Sequence, residues 1–198
     1  MMFRGRILIA ALLFALGAFP ATAARAQFLS AEDKAHETAE AFAQRVAGLY
    51  GPEGDWAKAR IPDAFLDYER RVKAEFYDPG FAALLDENRR LASHWGDEDI
   101  DHDPLCHCQQ VHVRLNLESL DQASPDAAQA HMASCEEPAA GCEHYVLVLK
   151  RTAGAWRVHD TIEQGDSLQA ILERDNACMR SPSEAEMKAC FKRQGGAP

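Results

Sequence analysis

The chain lacks a long apolar run after its first 26 residues, so no later segment is apolar enough to span a bilayer. The one long run, residues 7–19, is shorter than the about 20 residues that a transmembrane helix needs. A short basic segment precedes this run and a small-x-small triplet, residues 24–26, follows it, as is typical of a cleaved secretory signal. The sequence therefore predicts a signal peptide over residues 1–26 and export, with a bacterial periplasm as the expected location.

Basic residues are also scarce, because 21 lysines and arginines stand against 31 aspartates and glutamates. Removal of residues 1–26 takes away three arginines and no acid, so the net charge of −10 becomes −13. A chain of this charge repels nucleic acid and anionic lipid, and we expect neither as a partner. Residues 27–198 have the length of a single domain with one core.

The familiar catalytic motifs are missing as well. The sequence has no glycine-rich phosphate loop, no serine elbow and no His-Glu-x-x-His pattern, and it has no internal repeat. We therefore expect no cofactor and no catalysis by this chain. The enzymatic alternative is a carboxylate inside the fold that acts as a general base, and the candidates are Asp101, Asp103 and Asp160.

Apolar residues at alternating spacings of three and four predict helices in both terminal parts of the chain. Ser30, Asp63, Asp78 and Ser183 are suitable N-caps, and Pro79 suits the first position of a helix. The predicted helices run from Ser30 to the Gly51-Pro52 stop, from Asp63 to Phe76, from Asp78 to Gly96, from Ser167 to Met179 and from Ser183 to about Lys192.

In the middle of the chain the period changes to two, which is typical of half-buried strands. The sequence predicts four strands, over residues 111–118, 129–135, 144–151 and 156–161, with a hairpin turn at 152–155. Short connections favour an antiparallel meander. The predicted fold is therefore α+β, with N-terminal helices on one face of a curved sheet of about four strands and a C-terminal helical hairpin.

Six cysteines in an exported chain favour disulfides over free thiols. Cys178 and Cys190 flank the break at Pro182, so a bridge between them would join two short helices that have little core of their own. Cys135 and Cys142 flank a predicted hairpin loop and would bridge it.

The remaining two cysteines lie in residues 99–112, which contain three carboxylates, three histidines and two cysteines ahead of the first strand. We favour a small disulfide ring between Cys106 and Cys108, although each could instead reach Cys135 or Cys142. The functional alternatives are a copper or zinc site and a redox-active pair. The metal-ligand candidates are Cys106, Cys108 and His112, with His102 and His107 nearby.

Each predicted strand carries one histidine, and these are His112, His131, His144 and His159. The parity of the strands places His112 and His159 on the polar face of the sheet. A solvated or dimer-facing surface is the favoured interpretation, and a metal-binding or pH-sensing row is the alternative.

Three segments of the chain resemble a bacterial exported domain family of unknown function. They are residues 77–85 (Tyr-Asp-Pro-Gly-Phe-Ala-Ala-Leu-Leu), 103–109 (Asp-Pro-Leu-Cys-His-Cys-Gln) and 156–162 (Trp-Arg-Val-His-Asp-Thr-Ile). The resemblance covers roughly residues 29–174 and departs at Gln110, where members often carry an acid. It places the chain in the nuclear-transport-factor-2-like superfamily and implies a cystatin-like cone of helices and sheet. It brings no settled activity, because pockets in that superfamily serve catalysis in some members and binding in others.

Together these features predict a non-catalytic binding module for a small ligand or a protein partner. Binding would use the mouth of the cone or the open face of the sheet, which could also form a homodimer. One hypothesis is inhibition of a basic cell-wall-acting enzyme, steered by opposite charge. The binding candidates are Asp103, His107, His112, His159 and Asp160.

Overall fold

The part of the chain that the computed structural model describes comprises residues 28–50, 62–96, 102–108, 113–136 and 141–195, with the backbone alone at 62–68 and 136. The predicted signal peptide lies outside these residues. Within them the fold is α+β, as the sequence predicts. The helices are α1 (Ala31–His36), α2 (Ala39–Ala47), α3 (Pro62–Phe76), α4 (Pro79–Trp95), α5 (Leu168–Met179) and α6 (Glu184–Arg193). The strands are β1 (Val113–Ser124), β2 (Ala127–Glu136), β3 (Cys142–Thr152), β4 (Ala155–Glu163) and β5 (Asp166–Ser167).

The five strands form one open meander in the order β1-β2-β3-β4-β5, and every neighbouring pair is antiparallel. Two of its turns are two-residue loops with positive φ at both positions, namely Ala153-Gly154 and Gln164-Gly165. Such loops match the twist of the strands that they join. The first loop confirms the predicted hairpin. The second leads into β5, which the sequence prediction misses because two residues are too few to show an alternating pattern.

The prediction of one continuous helix at the start of the domain is wrong, because the structure divides it into α1 and α2. Glu37 is extended (φ −64°, ψ 136°), and the Thr38 side chain accepts a hydrogen bond from the N–H of Ala41 to cap α2. The backbone carbonyl of Glu37 accepts hydrogen bonds from Trp156 Nε1 (3.1 Å) and Arg151 Nη2 (2.9 Å). These bonds to the sheet require a carbonyl that is free of the helix ladder, so the helix breaks at this residue.

The other helices agree with the sequence in position and in capping. The Asp78 side chain accepts from the N–H of Gly80, and Gly96 ends α4 in the left-handed region (φ 71°), which favours glycine. Ser167 and Ser183 cap α5 and α6 through their hydroxyl oxygens. Only α3 differs at its start, which is Pro62 rather than Asp63.

The core lies between the helices and one face of the sheet, which we call the inner face. In β1, buried Val113 and Leu115 alternate with exposed Arg114 and Asn116, as the period of two predicts. Side chains from four strands and four helices form one buried cluster, which includes Phe42, Val46, Phe76, Phe81, Val113, Leu115, Met132, Tyr145, Leu147, Leu149, Trp156, Val158 and Leu172. The opposite side of the sheet is called the outer face below.

Candidate functional site

Residues 102–108 form a tight loop that is held by its own backbone. The carbonyl of Asp103 accepts from the N–H groups of Cys106 (3.2 Å) and His107 (2.8 Å), and the Asp103 N–H donates to the carbonyl of Cys108 (3.0 Å). Cys106 and Cys108 are disulfide-bonded, with their Cα atoms 5.1 Å apart. Between them His107 takes the left-handed backbone conformation (φ 51°).

Two side chains of the sheet fix this loop against the inner face. The Tyr145 hydroxyl on β3 donates to the carbonyl of Leu105 (2.6 Å), and Thr161 Oγ1 on β4 donates to the carbonyl of Pro104 (3.1 Å). Leu105 and Cys106, which belong to the loop, are fully buried. The loop is therefore a fixed platform.

The acid of this loop, Asp103, has a carboxylate that is enclosed by donors of the chain. It accepts hydrogen bonds from the Tyr50 hydroxyl (2.6 Å), the N–H of Leu105 (2.9 Å) and, at the limit of reach, the Tyr77 hydroxyl (3.5 Å). Burial raises the pKa of Asp103, and these hydrogen bonds oppose that rise without cancelling it. Burial, followed by the nearby negative charge of Asp103, also raises the pKa of Tyr77 and of Tyr145 well above the usual value.

A carboxylate of raised pKa beside Tyr145 is the pattern that the enzymatic alternative requires. Three donors of the chain itself occupy this carboxylate, however, so it also serves as an anchor that ties the loop to the segments around Tyr50 and Tyr77. Catalysis by Asp103 stays a prediction.

His107 lies between two glutamates that come from neighbouring strands. Its Nδ1 is 3.0 Å from Glu143 Oε2. Its Nε2 is 2.6 Å from Glu163 Oε2, which is an ion-pair distance although the angle lies outside hydrogen-bond geometry. The His107 side chain is 12% exposed, whereas those of Glu143 and Glu163 are 69% and 39% exposed. We call these three residues the acidic rim.

The register of the sheet explains why the two glutamates converge. Glu143 precedes Tyr145 by two residues on β3, and Tyr145 pairs directly with Glu163 on β4. All three side chains therefore project from the inner face, at the end of the strands where the 102–108 loop is attached. The His107 ring packs at a tilt against Tyr145, with ring centroids 5.8 Å apart, and against His102, with centroids 4.3 Å apart.

The acidic rim has a definite hydrogen-bonding requirement. A neutral imidazole has one N–H donor and one acceptor nitrogen, whereas the imidazolium has two donors. Because a carboxylate faces each nitrogen, the arrangement is complementary to a positive charge placed between Glu143 and Glu163. A guanidinium or ammonium group has the same complementarity.

Two of the predicted binding residues have other roles. The Asp160 carboxylate accepts from the Ser167 hydroxyl (2.6 Å) and from the N–H groups of Thr161 and Gln169 (both 2.8 Å), so it holds the N-terminus of α5. His159 is the extra residue of a β-bulge in β4, and its Nδ1 is 3.9 Å from Asp78 Oδ1.

The predicted parity of β4 assumes an unbroken alternation of side chains. The bulge interrupts this alternation, because it adds one residue to the strand. Val158 pairs with Leu149, whereas Asp160 pairs with Val148, so His159 has no partner across the strands. Its side chain is 28% exposed.

His131 and His144 do not lie in the row that was the alternative interpretation of the strand histidines. His131 is opposite Val146 and His144 is opposite Ala133, so the register does not align them. Both project from the outer face, where each lies 3.0 Å from its own carboxylate on β1, Asp121 for His131 and Glu118 for His144. His112 and Asp101 lie outside the described residues.

The cysteines are paired as the sequence favours. Cys135–Cys142 joins directly opposed residues of β2 and β3, and Cys178–Cys190 joins α5 to α6. No cysteine is free, and the described residues contain no group of three or more His, Cys, Asp or Glu side chains that could hold a metal ion. Cys106 and Cys108 therefore present no thiolate to a metal.

Sequence reasoning names Asp103 and His107 but misses their partners Glu143, Glu163 and Tyr50. One local signal was present, because Glu143, Tyr145 and Leu147 share the parity of one strand face. The pairing of Tyr145 with Glu163 is set by the β3–β4 register and has no local signal.

No helix within the described ranges has the length and hydropathy that a membrane crossing requires. The three disulfide bonds fit a protein of an oxidising compartment. Comparison of the sequence with models of protein families gives no match, and comparison with curated proteins gives no similar sequence.

Proposed function

We propose that the chain is an exported binding module that holds a cationic group at the acidic rim and has no catalysis of its own. The observation that supports this proposal is the convergence of Glu143 and Glu163 on the two nitrogens of His107. The positive group would be a guanidinium or ammonium of a small ligand or of a protein partner.

The positions of the two glutamates suit this task. Glu143 and Glu163 are attached to paired strands, so the register fixes the separation of their backbones, while their exposed side chains remain accessible to a ligand. Paired carboxylates form charge-assisted hydrogen bonds with a forked guanidinium, and these are stronger than bonds between neutral groups.

The charge of the whole chain supports the same class of partner. A net charge of −10 attracts cations and accelerates their association, an effect that salt screens. A basic cell-wall-acting enzyme in the bacterial periplasm is the protein partner that this charge favours, and the paired cysteines suit that compartment.

We further propose that the fold is a cystatin-like cone of the nuclear-transport-factor-2-like kind, as the resemblance implies. Helices packed on the inner face of an open antiparallel meander support this assignment. The acidic rim would then lie at the mouth of the cone.

The experiment is a calorimetric titration at pH 8 and low salt with two probes, arginine amide and a basic lysozyme. Both probes should bind, and their affinity should fall when salt is added. The double variant Glu143→Gln/Glu163→Gln should lower the affinity about tenfold, because each exposed pair contributes about 0.2–1 kcal/mol.

The matched control is Glu118→Gln/Asp121→Asn, which removes two carboxylates that also lie beside histidines, but on the outer face. It changes the net charge by the same amount and should leave the affinity within about twofold of the parent. Equal losses in the two double variants would mean that only overall charge matters. That result, or no binding at low salt, would refute the proposed function.

A further inference from the structure

We infer that His107 is a built-in competitor of the cationic ligand, so that the site binds its ligand more tightly as the pH rises from 5.5 to 8. This inference rests on the proposed function of the acidic rim. It assigns to His107 the pH regulation of ligand binding at that site. The negative charge of Glu143 and Glu163 alone does not imply this regulation.

The first step of the argument is the position of the imidazole. Its two nitrogens occupy the places where a guanidinium or ammonium would contact Glu143 and Glu163, at 3.0 Å and 2.6 Å. A cation can therefore bind between the glutamates only after at least one of these contacts is broken.

The second step is that the loop cannot retreat to make room. The His107 N–H is bonded to the carbonyl of Asp103, the adjacent cysteines are joined to each other, and Tyr145 holds the carbonyl of Leu105. Competition must therefore be resolved by the side chains of His107 and of the two glutamates, and its strength depends on the charge of the imidazole.

The third step is the sign of the pH dependence. Histidine changes charge between pH 5 and 8. The imidazolium forms ion pairs with both glutamates, whereas the neutral ring carries no charge and leaves one carboxylate facing an acceptor nitrogen. A ligand cation thus displaces a strongly held group at low pH and a weakly held one at high pH. Protonation of His107 therefore weakens the binding of the cation, and binding of the cation weakens protonation by the same factor.

The titratable groups that face the His107 ring in the described residues come from three elements. They are Glu143 and Tyr145 from β3, Glu163 from β4, and His102 from the loop itself, with the Asp103 carboxylate two residues away on the side of Tyr50. Ordinary glutamates stay ionised above pH 5.5 and ordinary tyrosines stay neutral below pH 8. Histidine is the side chain whose ordinary charge change falls in this range, and His107 is the histidine that lies within ion-pair distance of both glutamates.

The test measures the affinity for arginine amide at pH 5.5 and at pH 8 in three proteins. In the parent chain we expect about tenfold tighter binding at pH 8. In His107→Asn the affinity should be nearly equal at the two pH values and should match or exceed the parent value at pH 5.5. Asparagine is the suitable replacement because it tolerates the left-handed backbone and carries no charge.

The matched control is His144→Asn, which removes a histidine that also lies 3.0 Å from a glutamate but sits on the outer face. It should keep the full pH dependence of the parent. A second measurement needs no variant, because calorimetry of the parent in two buffers of different ionisation enthalpy should show that binding releases more protons at pH 5.5 than at pH 8.

The outcomes separate this inference from the proposed function. If arginine amide binds to the parent with the same affinity at both pH values, or if His107→Asn retains the rise, the competitor role is refuted while the cation site stands. If the probe binds neither the parent nor His107→Asn at any pH, the cation site itself is refuted.

Discussion

At the scale of single residues, Asp103 shows how one acid can hold a functional loop in place. Its carboxylate accepts from Tyr50 and from the N–H of Leu105, and its carbonyl accepts from two further N–H groups of the loop. The loop in turn places His107 between Glu143 and Glu163, the other two residues of the acidic rim. Asp103 is thus a positioning residue for the rim.

The raised pKa of Asp103 makes a prediction about stability. A carboxyl whose pKa is higher in the folded chain than in the unfolded one stabilises the fold when protonated, and this contribution is lost as the pH rises from the ordinary aspartate value through the raised one. Asp103→Asn removes the titrating group but keeps a carbonyl acceptor for the N–H of Leu105. The advantage of the parent over the variant in unfolding free energy should therefore shrink as the pH rises from about 4.

Urea unfolding of both proteins between pH 4 and pH 7 measures this difference. Asp126→Asn is the control, because it replaces an exposed aspartate in the β1–β2 turn. A parent advantage that grows as the pH rises would contradict the prediction.

At the scale of elements, the break between α1 and α2 is stabilised by a buried ion-pair network. Arg45 on α2 binds the Glu37 carboxylate through Nε (2.8 Å) and Nη2 (2.9 Å), and it binds Glu75 on α3 through Nη1 (2.9 Å). Lys34 on α1 also pairs with Glu75. The guanidinium lies 4.6 Å from the centroid of the Phe76 ring, so it packs as well as pairs. Arg45 thereby joins α2 and α3 to Glu37, the residue at which α1 ends.

Arg45→Met tests this network. The variant keeps much of the apolar packing but leaves the buried Glu37 carboxylate without its cation, so we expect a loss of about 3–5 kcal/mol in the free energy of unfolding. Arg89→Met is the matched control, because Arg89 pairs with Glu69 while 56% exposed, and its loss should stay below about 1 kcal/mol. Similar losses in both variants, measured by urea unfolding, would show that the burial of the Arg45 network has no special effect.

At the scale of the whole molecule, three disulfides reinforce three different parts of the fold. They close the 102–108 loop, link β2 to β3, and join α5 to α6. Met179 of α5 and Met187 of α6 share only a small apolar cluster with Leu91 and Ala92 of α4. The bridge Cys178–Cys190 therefore replaces core that this part of the chain cannot supply.

Complete pairing predicts that the native chain has no reactive thiol. Titration of the unreduced protein in denaturant should find none of the six cysteines free, and a mass map should recover the three pairs. A free thiol at Cys106 or Cys108 would revive the metal hypothesis for that loop.

The Cys178→Ala/Cys190→Ala variant should lose about 2–4 kcal/mol in the free energy of unfolding.

The sequence by itself determined the features whose causes act over a few residues. The caps at Ser30, Asp78 and Ser183 need only one side chain and the next turn of backbone. The alternation of β1 needs only one buried face, and the favoured cysteine pairing rested on near neighbours in the chain.

Only the tertiary structure decided the features whose causes join distant residues. Glu37 leaves the helix because Trp156 and Arg151 bind its carbonyl from more than 110 residues away. The bulge at His159 and the meeting of Glu143 with Glu163 depend on strand register. Register follows from the packing of a whole face and from turn geometry, so a single segment of sequence does not contain it.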